Sequence, residues 1–193
     1  MLGQVYNRAS LVVAVSIGLG LATISTSLTL AALTPATTQA QKLSNSSKLL
    51  VQRAQELNKS EILAAHNQYR KAVGATPLKW SDSLASSAQE WALELASNDS
   101  MGHSSTDYGE NIWAGTAGAY SPTEMVDSWG EEKQYFVPGN SFPDSCQGGD
   151  CGHYTQIIWS KTKEVGCGLA SSAENDYFVC QYNPPGNYQG QEP

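Results

Sequence analysis

Three histidines and a few carboxylates carry whatever acid-base or metal chemistry this chain can perform. His153 opens the stretch Gly152-His153-Tyr154-Thr155-Gln156-Ile157-Ile158-Trp159. Alternation predicts a short core strand there, with His153, Thr155, Ile157 and Trp159 on one face and Tyr154, Gln156 and Ile158 on the other. The imidazole would then stand at the lip of a sheet, a place that suits a metal ligand, an acid-base group or a hydrogen-bonded structural histidine. His103 lies in the polar, glycine-punctuated segment 101–113, which also carries Glu110 into a short strand. Loops that deliver a histidine and a glutamate to a sheet are places where sites are built, although the same composition serves a solvated loop. His66 falls on an apolar helical stripe and reads either as a core imidazole bonded to backbone or as a ligand.

The carboxylates sort by helical phase. Ser121-Pro122-Thr123-Glu124 joins a capping serine, a proline at the first helical position and a glutamate three residues after the cap, which predicts a helix start. Along that helix Glu124, Asp127, Ser128 and Glu131 share a polar stripe, while Met125, Trp129 and Glu132 share another. Glu131 should face water. Glu132 must either reach past the apolar edge or meet a partner, because an unpaired buried carboxylate is costly.

The other elements position these groups. A first helix is predicted from Ser60, with Ile62, His66, Tyr69 and Val73 on one face and Gly74 as its stop. Pro77-Leu78-Lys79-Trp80 reads as an extended link. Ser81 or Asp82 then caps a second helix that turns Leu84, Ala88, Trp91, Ala92 and Leu95 inward and ends at Asn98-Asp99-Ser100. Segment 134–145 holds Tyr135, Phe136, Pro138, Phe142 and Pro143 and is predicted to be an exposed aromatic loop. Residues 165–169 and 177–182 read as two strands about a turn at 171–176. Four cysteines allow three pairings, and this hairpin favours Cys167 with Cys180, leaving Cys146 and Cys151 to close a small loop before His153.

Length and charge bound the rest. The chain has 193 residues with 11 Lys+Arg against 18 Asp+Glu, a net charge of −7. Such a balance argues against nucleic acid and anionic membranes as main partners. Only Arg8 is charged in the first forty residues, segment 11–33 is uncharged, and Thr38-Gln39-Ala40 forms a small-x-small cleavage pattern. Residues 1–40 are read as a secretory signal peptide, with an uncleaved membrane anchor as the alternative. Residues 41–59 are a polar lead and 60–193 one folded domain. An even cysteine count without C-x-x-C or zinc-ribbon spacing implies disulfides in an exported protein, and no G-x-S-x-G elbow or H-E-x-x-H pair is present.

The segment Gly152-His153-Tyr154-Thr155-Gln156-Ile157-Ile158-Trp159-Ser160-Lys161-Thr162 and the segment Tyr177-Phe178-Val179-Cys180-Gln181-Tyr182-Asn183-Pro184-Pro185-Gly186-Asn187-Tyr188 resemble the two signatures of the CAP superfamily. That superfamily comprises cysteine-rich secretory, antigen 5 and pathogenesis-related type 1 proteins. His66-Asn67-Gln68-Tyr69-Arg70 resembles its first-helix motif and Gly109-Glu110-Asn111-Ile112-Trp113 its central one. The resemblance implies an α+β fold, a three-layer α-β-α sandwich with a small antiparallel sheet. It implies that His103, Glu110, Glu132 and His153 converge in one open cleft, where His103 and His153 hold zinc or another divalent metal that folding does not require. It also suggests binding of a sterol or fatty acid through the aromatic loop, with Tyr135, Phe136 and Phe142. Relative to the plant pattern the chain lacks one cysteine ahead of the central motif and one between Cys167 and Cys180, a joint loss that agrees with the pairing above. The expected protein is a secreted, monomeric, non-enzymatic binding module with a defence- or envelope-related role, extracellular or, in a bacterial host, periplasmic. Two rival functions are a metal-dependent extracellular hydrolase, peptidase-like, with Glu110 or Glu132 as general base, and a wall-associated interaction domain whose cleft is a relic.

Overall fold

A computed structural model describes residues 57–193; residues 1–40, expected to be a signal peptide, and residues 41–56 of the lead lie outside the described residues. Helix α1, Lys59–Ala72, begins one residue before the expected start because Asn58 is its cap, accepting from the Glu61 amide. Gly74, at φ +73°, ends it. Its buried stripe is Ile62, His66 and Arg70, spaced by four, so Arg70 is buried and Val73 is 45% exposed at the helix end.

Helix α2, Asp82–Asn98, is capped by Ser81 and ends on Asp99 in the left-handed region. Its inward residues are Leu84, Ala88, Ala92 and Leu95, with Trp91 only half-buried. The sheet contains β1 (Lys79–Trp80), β2 (Gly109–Thr116), β3 (Glu164–Ser171) and β4 (Asn175–Asn183) in the order β1-β3-β4-β2. β3, β4 and β2 are antiparallel neighbours, and two-residue β1 joins in parallel, the extended link having become an edge strand. A Cβ at Gly166 would fall on the Ala85 amide and one at Gly168 on the Gln89 backbone, so these two glycines let α2 lie directly on β3.

Period-2 alternation on β4 splits the core between two layers. Tyr177 and Val179 join Ala88, Ala92, Leu95 and Ile112 under α2. Phe178, Cys180 and Tyr182 join Ile62, Met125, Trp129 and Ile157 beneath α1, α3 (Pro122–Gly130) and α4 (Gly152–Ile158). The result is the expected α-β-α sandwich. Cys167 and Cys180 lie opposite each other in the β3–β4 register and are bridged, as are Cys146 and Cys151.

Two expectations are corrected. Segment 152–158 is helix α4 and not a strand. Tyr154, Thr155, Gln156, Ile157 and Ile158 are all buried, and a segment enclosed on every side carries no amphipathic phase to separate a period of 2 from 3.6. The loop is exposed at Gln134, Pro138, Gly139, Pro143 and Asp144 as expected, but its aromatic residues Tyr135, Phe136 and Phe142 are each half-buried. The loop folds back on itself, with Phe136 bridged to Cys146, the Val137 amide on the Ser145 carbonyl and the Gln147 amide on the Tyr135 carbonyl. Phe136 meets Tyr154 edge-on, and the Phe142 backbone is tied to Gly190 and Gln191 of the tail.

Candidate functional site

α3 starts as expected, with a full capping box between Ser121 and Glu124, and turns into a short 3-10 helix, Glu131–Tyr135. Glu131 faces solvent and pairs with Lys133. Glu132 points at the start of α4. Its Oε1 accepts from His153 Nδ1 at 2.6 Å, and its Oε2 accepts the His153 and Tyr154 amides at 2.9 and 3.2 Å. Cys151, at the cap position of α4, has no side-chain capping bond, so Glu132 takes over that task from a distant element. Trp129 completes the setting, its ring stacked on His153 at 5.9 Å between centroids and on Phe178 at 5.5 Å.

The second pair sits across β2. Glu110 Oε1 accepts from His103 Nδ1 and the Ser104 amide, both at 2.9 Å, and Oε2 accepts from the Ser104 hydroxyl at 2.6 Å and Gln181 Nε2 at 3.0 Å. All four lone-pair directions of that carboxylate are taken. Burial alone would push Glu110 up, but the bonds from His103, Ser104 and Gln181 together hold it below the usual range. The same bond from Glu110 raises His103 against its partial desolvation. His103 remains 67% exposed, Glu110 only 5%.

Both histidines therefore share one arrangement. An ionised carboxylate only accepts, so each Nδ1 donates, and in the neutral ring each Nε2 keeps its lone pair, with no partner among the described residues. The pairs are joined through consecutive residues of β2: Glu110 takes His103, and Asn111 donates to the His153 carbonyl at 3.1 Å. Glu110 and Asn111 point to opposite faces of edge strand β2 by alternation, so the strand presents one residue to each pair. The structure groups the four residues two and two. Among the described residues, no three of His103, Glu110, Glu132 and His153 bring ligand atoms within 4.8 Å of one another.

Residues 63–182 match the cysteine-rich secretory protein family, CAP. The chain belongs to this family. It is 39% identical over 138 residues to pathogenesis-related protein PR-1 of Medicago truncatula, covering 70% of this chain and 78% of that protein. Identity to pathogenesis-related protein 1A of Nicotiana tabacum is 40% over 137 residues, 70% and 80% of the two chains. Among solved structures BmVAL-1 superposes with a TM-score of 0.60 at 27% identity over 71% of this chain and 82% of that one. NaASP2, crystallised with Zn2+, gives 0.58 at 22% identity over 69% and 82%, a likeness of fold. Na-ASP-1 gives 0.59 at 23% over 69% of this chain, which spans only 40% of that longer one.

Several positions in this CAP domain escape a reading by residue type. Arg70 sends its guanidinium to the carbonyls of Thr76, Ile157, Trp159 and Thr162 at 2.7 to 3.0 Å, pinning the chain on either side of the α4 end. Its place four residues after His66 was the available signal. His66 is a core imidazole bonded to backbone: Nδ1 donates to the Ile62 carbonyl at 2.8 Å, and Nε2 accepts from the Tyr182 hydroxyl at 2.9 Å. Asn111 donates to that same hydroxyl at 3.1 Å, so a buried relay runs from the His153 backbone to α1. Ser104 and Gln181 are ordinary polar residues in the sequence, and only the fold shows them saturating Glu110.

Proposed function

We propose that this CAP protein is exported and acts as a non-enzymatic binding module, with His103 and His153 holding one divalent metal through their Nε2 atoms. The observation that carries the proposal is the carboxylate behind each Nδ1, which fixes the tautomer a metal needs and orients the ring. Glu110 and Glu132 are orienting groups here and not ligands, since their oxygens are committed to imidazole, amide and hydroxyl donors. Two protein ligands leave the remaining positions to water, fewer than the three that catalytic zinc usually has. The acidic charge, the paired cysteines and the likeness to pathogenesis-related proteins favour an extracellular, defence-related setting.

Calorimetric titration with zinc tests the metal site. One ion per chain is expected, with His103→Ala and His153→Ala each removing it; independent residual sites in the single variants would defeat the shared-ion reading.

For the apolar ligand we propose one groove. A groove of about 480 Å³ is lined by Val73, Ala75, Phe136, Pro138 and Ile158, with Ser160 and Glu192 as its polar members. It has the size of a small-molecule site. Of the three aromatic residues of the loop only Phe136 lines it. Saturable uptake of a labelled sterol or fatty acid that weakens in Phe136→Ala is the expected result, and no uptake of either would remove this part. A hydrolase that uses Glu110 as base has nothing in its favour, because a fully bonded carboxylate held below its usual range is a poor proton acceptor.

A further inference from the structure

We propose that the groove where the start of α1, the turn between β2 and α3, and the β3–β4 hairpin meet is a carbohydrate site that takes a neutral pyranose unit. The groove encloses about 330 Å³, at the small end of ligand-site sizes. It stands apart from the two histidine–carboxylate pairs. Along the β2–β4 ladder Gly115 faces Asp176 at the groove end, whereas Glu110 faces Gln181 towards the other end.

The frame is built before any ligand arrives. The turn that carries Tyr120 is tied to the hairpin by the Ala117 amide on the Glu174 carbonyl at 2.9 Å and by the Gly118 amide on Asp176 Oδ2 at 2.8 Å. The indole of Trp113 lies over Gly115, where an added Cβ would strike it, and meets the Tyr120 ring edge-on at 5.2 Å between centroids. Tyr120 is thereby braced in the groove wall with 51% of its surface open. An aromatic ring fixed in this way offers an apolar platform to the C–H face of a sugar.

Around the platform the lining supplies both halves of the pairing that a sugar hydroxyl needs, since a hydroxyl donates one hydrogen bond and accepts two. Glu61 accepts only, and its carboxylate has no partner among the described residues. Asn58 spends Oδ1 on the Ser60 hydroxyl and the Glu61 amide, which leaves Nδ2 to donate. Thr123, in the first turn of α3, adds a hydroxyl. Asp176 is 5% exposed and accepts from Gly118 and Ser171, so each oxygen keeps one unused lone-pair direction.

Other small ligands fit this lining less well. Its two charged residues, Glu61 and Asp176, are both acidic, which repels phosphate and sulfate. An amine would gain only the exposed Glu61, a contact that water and salt screen. An acyl chain would lay hydrocarbon over carboxylate, amide and hydroxyl groups and leave them unpaired. A neutral polyol pairs them all. The net charge of −7 turns away acidic glycans in the same way.

Saturation-transfer difference NMR on the full chain tests this, with cellobiose, maltose and N,N′-diacetylchitobiose as probes. At least one should give a saturable signal, strongest at its ring C–H protons. That signal should fall about fivefold or more in Tyr120→Ala and in Glu61→Ala, each of which removes one exposed contact. It should persist in Tyr188→Ala, which removes an exposed aromatic outside the groove. Both groove residues are exposed, so both variants should keep the parent melting temperature. No saturable signal from any of the three sugars, a signal unchanged in either groove variant, or an equal fall in Tyr188→Ala would each overturn the proposal. Tighter binding of putrescine or inorganic phosphate at the same groove, lost in the same variants, would overturn it as well.

Discussion

Glu132 does two jobs at once, and a substitution can separate them. Glu132→Ala removes the acceptor for two α4 amides and for His153 Nδ1, so it should destabilise the fold by about 1–3 kcal/mol and weaken zinc binding. Glu132→Gln keeps one oxygen and should cost less in stability; urea unfolding and calorimetry on both variants check this. His66 sets an acid limit. Burial, the main cause, with the charge of Arg70 lowers its pKa to about 4, against a weaker upward pull from the Ile62 carbonyl. The unfolded chain takes up that proton near pH 6.5, so the stabilising neutral state is fully present above that value and lost as pH falls to 4, a loss of about 3 kcal/mol. In His66→Gln the fall of melting temperature between those pH values should flatten. The His103–Glu110 pair acts at both flanks. The raised His103 stabilises below its unfolded value and loses this as pH climbs through its folded one; the lowered Glu110 stabilises above its unfolded value and loses this on acidification. With His103 mostly exposed, the effect of His103→Ala should stay under about 1 kcal/mol. Residue type was enough to single out His103, Glu110, Glu132 and His153. Their pairing was not legible, because the donors that decide it, Ser104, Gln181 and two backbone amides, announce nothing in a sequence.

Elements with a clear start signal were legible and those without were not. Ser121, Pro122 and Glu124 gave α3 its true beginning, and the Cys167–Cys180 register followed from two strands and a turn. α4 was misread since its cap comes from Glu132, twenty-one residues from His153 in the chain, and its side chains from Tyr154 to Ile158 are buried all round, polar and apolar alike. The contact between α2 and β3 depends on two glycines, and it yields a prediction at this scale. Gly168→Ala forces a methyl group into the Gln89 backbone, which cannot swing aside as a side chain would. A loss of roughly 1–3 kcal/mol or more is expected in thermal unfolding, larger than for Gly102→Ala, where the added carbon meets nothing.

Over the whole molecule, the sandwich leaves β3 with an incomplete neighbour. β1 pairs only with Glu164 and Val165, and beyond them the edge is closed by a side chain: Gln89 donates to the Leu169 carbonyl at 2.9 Å and accepts from its amide at 3.0 Å. Gln89 thus imitates a strand that is not there. Gln89→Ala should leave the fold intact and promote self-association through the freed edge, visible as a rise in sedimentation coefficient with concentration. The layered architecture and its polarity were legible from the four motifs, whereas this edge was not, since a mid-helix glutamine has no reason to be read as part of a sheet.

Trp129, stacked on both an imidazole and a phenyl ring, turns the molecule into its own optical instrument. A positively charged ring against indole quenches its emission, and a metal on the far nitrogen of His153 would draw electron density in the same sense. Steady-state fluorescence, read against a Trp129→Phe blank to subtract the other four indoles, would then follow ion arrival at His153 without any label.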